Sequence, residues 1–421
     1  MFKKNNLTAP SQLLVEINGQ LCRNTNAYDR CSINSACGCF PTVNDNSSGI
    51  CAFLWKSCSQ LLPCQSSQDC SNIDDVCVHH SRCSQSPVCY PSSMMNDKIC
   101  PSFPIQSSST LSTTTMKTNP KTIFQEEGKI VAGGNRDGDQ LNQLNHPLGI
   151  FVDQNKTIFI ADYDNHRIVQ WKFNQKQGNI IAGGNGRGDR LDQLNLPSDL
   201  IVDQQNHSII IADQQNNRVI RWSTNQKQDI LIENIYCSGL TIDQHGFLYA
   251  SDSQKNEVRK WNLEKIKENP EGILVAGGNG QGNQRNQLSS PTYIFVDKDQ
   301  SIYISDWNNH RVMKWLKNAK EGILVAGGNG QGNKLNQLDR PTGLFVDEWN
   351  QIYVADGANH RIMRWCEEDR KGEIIAGGNG WASELNQLSF PESLSFDLEG
   401  NLYVSDWAND RIIRFDKINF E

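Results

Sequence analysis

The sequence predicts an all-β protein: a six-bladed β-propeller closed by an N-terminal strand latch and preceded by a small disulfide-rich domain. Three observations predict it. From Gly128 onward the chain repeats itself at a period of about 50 residues, which means a propeller, a solenoid or an array. Each copy carries four short strand patterns separated by turn-formers, which selects a propeller blade. Finally, twelve of the 14 cysteines fall between Cys22 and Cys100.

In chain order, residues 1–21 are left unassigned. They contain basic residues but no apolar stretch of the kind a signal peptide needs, so export is expected to depend on a segment outside this sequence. Residues 22–101 are expected to form the disulfide-rich module, with Cys22, Cys31, Cys37, Cys39, Cys51, Cys58, Cys64, Cys70, Cys77, Cys83, Cys89 and Cys100 as its bridging candidates. A domain this small cannot bury enough core and is stapled by disulfides in an oxidising compartment. Zinc would ask for paired Cys-x2-Cys ligands, and no such pair occurs. The even spacing from Cys51 to Cys89 resembles small extracellular modules of the EB or whey-acidic kind. The pairing stays open.

Residues 102–127 are rich in Ser, Thr and Pro with little to bury, and read as an extended, solvated linker. N-glycosylation sequons stand at Asn6, Asn46, Asn155 and Asn206.

Residues 128–421 are the propeller. Pro147, Pro197, Pro291, Pro341 and Pro391 align across the copies, with Cys237 in the same place in an irregular third copy that lacks the Gly-Gly pair. In the fourth copy TYIFVD, SIYISD, RVMKW and EGILVAGG are the four strands, and turn-forming residues lie between them. The first three strands occur six times. The fourth strand also occurs six times, but its first copy, GKIVAGG, precedes the first complete blade. The N-terminal strand is therefore expected to complete the last blade and hide both free edges in one ring.

The repeat resembles the NHL family. The eponymous element stands here as Asn165-His166-Arg167, Asn309-His310-Arg311 and Asn359-His360-Arg361, with Asn216-Asn217-Arg218 and Asn409-Asp410-Arg411 as variants and Lys255-Asn256-Glu257 as the departure. Three functions follow from the resemblance as expectations. Peptidyl-hydroxyglycine amidating lyases of this fold hold a catalytic zinc on histidines of different blades. Ubiquitin-ligase relatives read substrates beside a zinc RING, and other relatives bind single-stranded RNA through a basic face.

Here His166, His310 and His360 belong to the turn consensus, and Asn217, Asn256 and Asp410 replace them elsewhere, which fits a turn role better than a zinc site. Nine basic and nine acidic side chains lie in residues 1–127, leaving 31 basic and 38 acidic for the propeller, so a nucleic-acid partner is not expected. No run of apolar residues is long enough to span a bilayer, no catalytic motif stands out, and no cofactor is expected.

Residues that recur in every blade are read as structural. Asp162 and its counterparts close the second strand, and Trp171, Trp222, Trp261, Trp315, Trp365 and Phe415 fill the wedge between blades. Function is sought where the repeat varies. Tyr163, Trp307 and Trp407 follow the turn aspartate where other copies have Gln214, Ser253 and Gly357, and Trp381 is taken to replace a glycine of the interblade loop. These four aromatics are the ligand-binding candidates. The reading is an extracellular, non-enzymatic binding platform whose propeller face holds a protein, peptide or glycan partner, with oligomeric state open; a lyase-like zinc enzyme and a ubiquitin-ligase-type substrate reader are the alternatives. Cys237 and Cys366 are expected to remain free thiols.

Overall fold

The computed structural model describes residues 21–23, 37–42, 45–53, 63–65, 70, 76–78, 86–90 and 122–418, except 204–207, 224–227 and 367–368. The chain divides into two compact units, 1–116 and 117–421.

In the first unit a five-stranded antiparallel sheet runs in the order Leu21–Arg23, Asp45–Phe53, Cys37–Thr42, Val76–Val78, Val88–Tyr90. Disulfides join Cys64 to Cys77 and Cys70 to Cys89, and these four cysteines pack together in a small cluster among the described residues. The side chains of the eight other bridging candidates lie outside the described residues.

The second unit is a propeller of six four-stranded antiparallel sheets. Blade 1 shows the pattern: Pro147–Val152 innermost, then Ile158–Asp162, Arg167–Trp171 and Asn179–Gly183 outermost. The second strand is buried at every position, because blades cover both of its faces. The outermost strand begins with exposed residues and is buried only at its end. Blades 2 to 6 start at Pro197, Cys237, Pro291, Pro341 and Pro391. Six apolar clusters hold the ring together, each drawing on two neighbouring blades. Trp171, Trp261, Trp315, Trp365 and Phe415 are buried in them, while Trp222 is half-buried.

The latch forms as the strand count requires. Lys129–Gly133 pairs antiparallel with Arg411–Phe415 and supplies the fourth strand of blade 6. One boundary moves. Ile123–Phe124 pairs with Lys417–Ile418, and Phe124 is buried in the cluster between blades 5 and 6, so the end of the expected 102–127 linker is part of the propeller. Isolated Ile and Phe in a Ser/Thr-rich stretch carry no periodicity to announce a two-residue strand.

Deleting residues 122–134 would bare the edge of Arg411–Phe415 and the apolar seam beneath it. The expected outcome is a fall in Tm of about 10 °C with edge-to-edge association, checked by circular dichroism and light scattering.

Candidate functional site

One face of the propeller is built from the long connections between blades and the turn after each second strand. In five blades this turn is one short 3-10 turn opened by the candidate position, as in Tyr163–Asn165, Trp307–Asn309 and Trp407–Asn409. The aspartate before it fixes the turn to the connection. Asp162 Oδ1 accepts from Asn145 N at 2.7 Å, and its Oδ2 accepts from Asn165 Nδ2 at 2.8 Å and Arg167 Nε at 2.6 Å. Arg167 in turn donates to the carbonyls of Asp139, Gln140 and Gln143 in the connection. The same knot recurs around Asp213, Asp306, Asp356 and Asp406. All these aspartates are fully buried and paired with arginine, which is how a buried charge is tolerated.

Blade 3 departs for a visible reason. The connection into it is only the three residues 234–236, so an arginine there would have no carbonyls to hold. Glu257 stands in its place and binds Arg259, while Asp252 accepts from the backbone of Gln254 and Lys255. The face therefore has high walls on five sides and a notch at blade 3.

The turn ends on a residue in the left-handed conformation: His166, Asn217, His310, His360 or Asp410. In every blade but the second, the side chain at this position bonds the next blade. His166 Nδ1 accepts from Leu196 N at 3.1 Å, His310 Nδ1 from Arg340 N at 3.2 Å and His360 Nδ1 from Phe390 N at 3.2 Å. Asn256 and Asp410 do the same with oxygen, toward Ser290 N and His146 N. The turn role expected for these histidines holds, and to it the structure adds a seam between blades. Burial, with Arg187 nearby, lowers the pKa of His166, and burial lowers that of His360, which favours the neutral ring an Nδ1 acceptor requires.

The residues that receive these bonds sit just before the first strand of each blade. His146, Leu196, Ser290, Arg340 and Phe390 all have φ between 50° and 55°. This conformation is strained for such side chains and doubly so before proline. Sequence reading passed over these positions because their identities share no chemistry, and a left-handed conformation held by a partner on another blade has no sequence signature.

The four candidate aromatics occupy this face. Tyr163 donates to Gln214 Oε1 at 3.4 Å, and burial pushes its hydroxyl up to about 12. Trp307 lies beneath the Arg340 guanidinium, 4.9 Å from it. Trp407 stacks on His146 with centroids 4.1 Å apart and meets Phe390 edge-on at 6.1 Å. Phe390 meets His360 at 4.6 Å, and His360 lies 6.4 Å from Trp381. Five rings thus run without a break from Trp381 to His146, across blades 5, 6 and 1; Tyr163 and Trp307 stand apart from this row.

The position of Trp381 needs a correction. It replaces Asp137, Arg187, Gln281 and Gln331, and the glycine is replaced by its neighbour Ala382. At Gly188 and Gly282 an added Cβ would lie 2.1 Å from the side chain of the following glutamine, so beside Ala382 the Gln387 amide must sit further off, and its Nε2 still donates to Asn379 O at 2.7 Å. The four equivalents of Trp381 each make a parallel bridge to the leucine seven residues on, Trp381 makes none, and its indole stands 69% exposed.

Toward the axis, the second residue of each innermost strand forms a largely hydroxylated ring. Ser198, Thr292 and Thr342 each donate to the first carbonyl of the next blade, at Cys237, Pro341 and Pro391. Glu392 is the acidic member of this ring, pushed up to about 8 by burial. Beside the ring Asp199 is pushed up to about 7 by burial, against which the backbone N–H groups of Leu240 and Leu200 pull it back.

Of the sequons, Asn155 is exposed in the hairpin turn of blade 1, on the opposite face; Asn6 and Asn206 lie outside the described residues, as does the side chain of Asn46. Cys237 and Cys366 are free thiols. No described helix is long and apolar enough to cross a membrane.

Two outcomes follow. Asp356→Ala would leave Arg361 buried beside an empty site and cost roughly 3–5 kcal/mol, whereas Asp252→Ala in blade 3 would cost far less; urea denaturation compares them. His166 and His360 give a pH dependence. Their folded pKa values lie below the unfolded value, so the folded chain binds fewer protons. Their contribution is complete above about pH 6.5 and is lost as pH falls from there toward the lowered folded values. Replacing both His166 and His360 by Asn, the acceptor blade 3 already uses, is expected to keep the fold and flatten this acid limb of the urea midpoint.

A model of the NHL repeat matches residues 144–171, the end of one connection and the first three strands of blade 1. No curated protein matches the chain by sequence. Among solved structures, a Bacteroides thetaiotaomicron protein of unknown function is similar at a TM-score of 0.56 and 16% identity, over 71% of this chain and 77% of its own. Auxiliary nutrient binding proteins of Bacteroides thetaiotaomicron and Bacteroides ovatus are similar at 0.55 and 0.53, with 12% and 11% identity. The former similarity covers 95% of both chains, the latter 89% of this chain and 87% of the other. At such identities the likeness is one of fold. The matched NHL repeat thus lies in blade 1 of a six-bladed β-propeller, and the repeat elements of the other blades resemble it.

Proposed function

We propose that the protein is an extracellular, non-enzymatic binding platform that holds a protein, peptide or glycan partner on the face carrying Tyr163, Trp307, Trp381 and Trp407. The carrying observation is the row of five rings on a scaffold whose repeated residues are all engaged in holding it. Four of the five rings, all but the seam residue His360, vary between otherwise equivalent blades and take no part in the seam with their side chains, and aromatic anchors are common in interfaces. Two fold relatives are described as nutrient binding proteins, which accords with this reading.

The bonds Cys64–Cys77 and Cys70–Cys89 support an oxidising compartment and occupy sulfurs that a RING-like zinc site would need. The Nδ1 atoms of His166, His310 and His360 are committed to blade seams, which counts against them as the zinc ligands of a lyase-like site.

The test compares binding of the full chain to cell-surface and matrix preparations with that of a Trp381→Ala/Trp407→Ala variant and of Trp349→Ala on the opposite face. A loss of about tenfold, near 1.4 kcal/mol, confined to the first variant is expected; equal binding by all three would overturn the proposal. Elemental mass spectrometry of the native protein is expected to find no stoichiometric zinc, and one zinc per chain would favour the lyase-like or ubiquitin-ligase readings.

A further inference from the structure

We infer that the ledge formed by Trp381, Phe390 and Trp407 takes a neutral oligosaccharide laid across blades 5 and 6 toward blade 1. This rests on the binding-platform reading and names its ligand class. Four observations point the same way.

The first is shape. The rings form a continuous ledge rather than a pocket, and the outermost, Trp381, is 69% exposed. Hollows of about 380 and 460 Å³ lie elsewhere, one beside Thr122 and Glu373, the other beside Leu335 and Arg370. Pyranose rings present flat C–H faces that lie on aromatic faces and need no enclosure, whereas a peptide bound by strand addition needs an open sheet edge, and one bound as a polyproline helix needs an aromatic-lined groove.

The second is placement. Phe390 and His146 stand just before first strands, where the seam bond uses only their backbone N–H, so the seam leaves both rings out of its bonds.

The third is a departure from the repeat. Trp381 gives up the parallel bridge made in the four other long connections while Asn379, Gln387 and Arg411 keep that connection's other bonds, and the indole gains no burial from the change.

The fourth is the polar chemistry at the end of the ledge. Asp164 holds His146 Nδ1 through Oδ2 at 2.5 Å, and its other carboxylate oxygen has no protein partner among the described residues. A half-exposed carboxylate beside stacked rings is an acceptor for sugar hydroxyls. It also repels the phosphates of a single-stranded nucleic acid, whose bases would otherwise suit a stacking platform, and disfavours sulfated or uronic chains.

The test uses the full-length protein on an array of neutral chito-, cello-, xylo- and manno-oligosaccharides beside acidic glycans and peptides, followed by tryptophan-fluorescence titration with the best binder. The expected result is binding to a neutral oligosaccharide that Trp381→Ala weakens about tenfold, Trp381→Phe largely restores and Trp349→Ala leaves unchanged. Trp381 is exposed, so its loss does not threaten folding, and a circular dichroism melt checks this. Binding to acidic glycans alone, or neutral binding indifferent to Trp381→Ala, overturns the inference. Trp381-dependent capture of peptides without any glycan overturns it while leaving the binding platform standing; no ligand dependent on this face overturns both.

Discussion

The structure depends on a buried carboxylate that ties three things together. In five blades one aspartate binds the turn that follows its own strand, the arginine five residues on, and the backbone of the connection that enters the blade. The arginine then gathers three carbonyls of that connection, so a loop of about a dozen residues, which would otherwise be ordered only at considerable entropic cost, lies fixed on the face. Where the connection shrinks to three residues, the arginine becomes Glu257. The exception shows that the ion pair serves the loop rather than the sheet, since blade 3 keeps its four strands without it.

Rigid connections then make exposed side chains possible. In the five blades entered by a long connection, the residue before the first strand stands in a left-handed conformation in which the preceding blade offers an acceptor to its N–H, and that bond is indifferent to what the side chain is. His146, Leu196, Ser290, Arg340 and Phe390 occupy one backbone geometry with five chemistries. Scaffold and recognition are thereby separated: the seam bond uses main-chain donors, and the side chains are left to differ.

Much of this was legible in the sequence. The period, the six copies of three strands and the displaced first copy of the fourth were enough to infer both blade number and latch, because a closed ring leaves few ways to dispose of an unpaired strand. Asp162 and Trp171 were legible as structural because repetition argues against six separate ligands. The ring row was half legible. Trp381 and Trp407 stood out as departures, whereas Phe390 and His146 did not, since their position varies in every blade and its geometry is imposed from 30 or more residues away. Two adjacent substitutions concealed which of Trp381 and Ala382 had displaced the glycine. The disulfide pairing was illegible for a different reason: twelve cysteines admit many pairings, and spacing does not choose among them.

The closure of the ring also sets how it would respond to a pull on its two ends. Lys129 faces Arg414, and Gly133 faces Arg411, so the entering and leaving chains part company at the same end of the last ladder. Tension between them loads these hydrogen bonds one after another, as a zip is opened, rather than all at once in shear. The short pair Ile123–Phe124 and Lys417–Ile418 sits at that parting point and must separate first. Two residues on each side thus act as the mechanical clasp of a six-bladed ring.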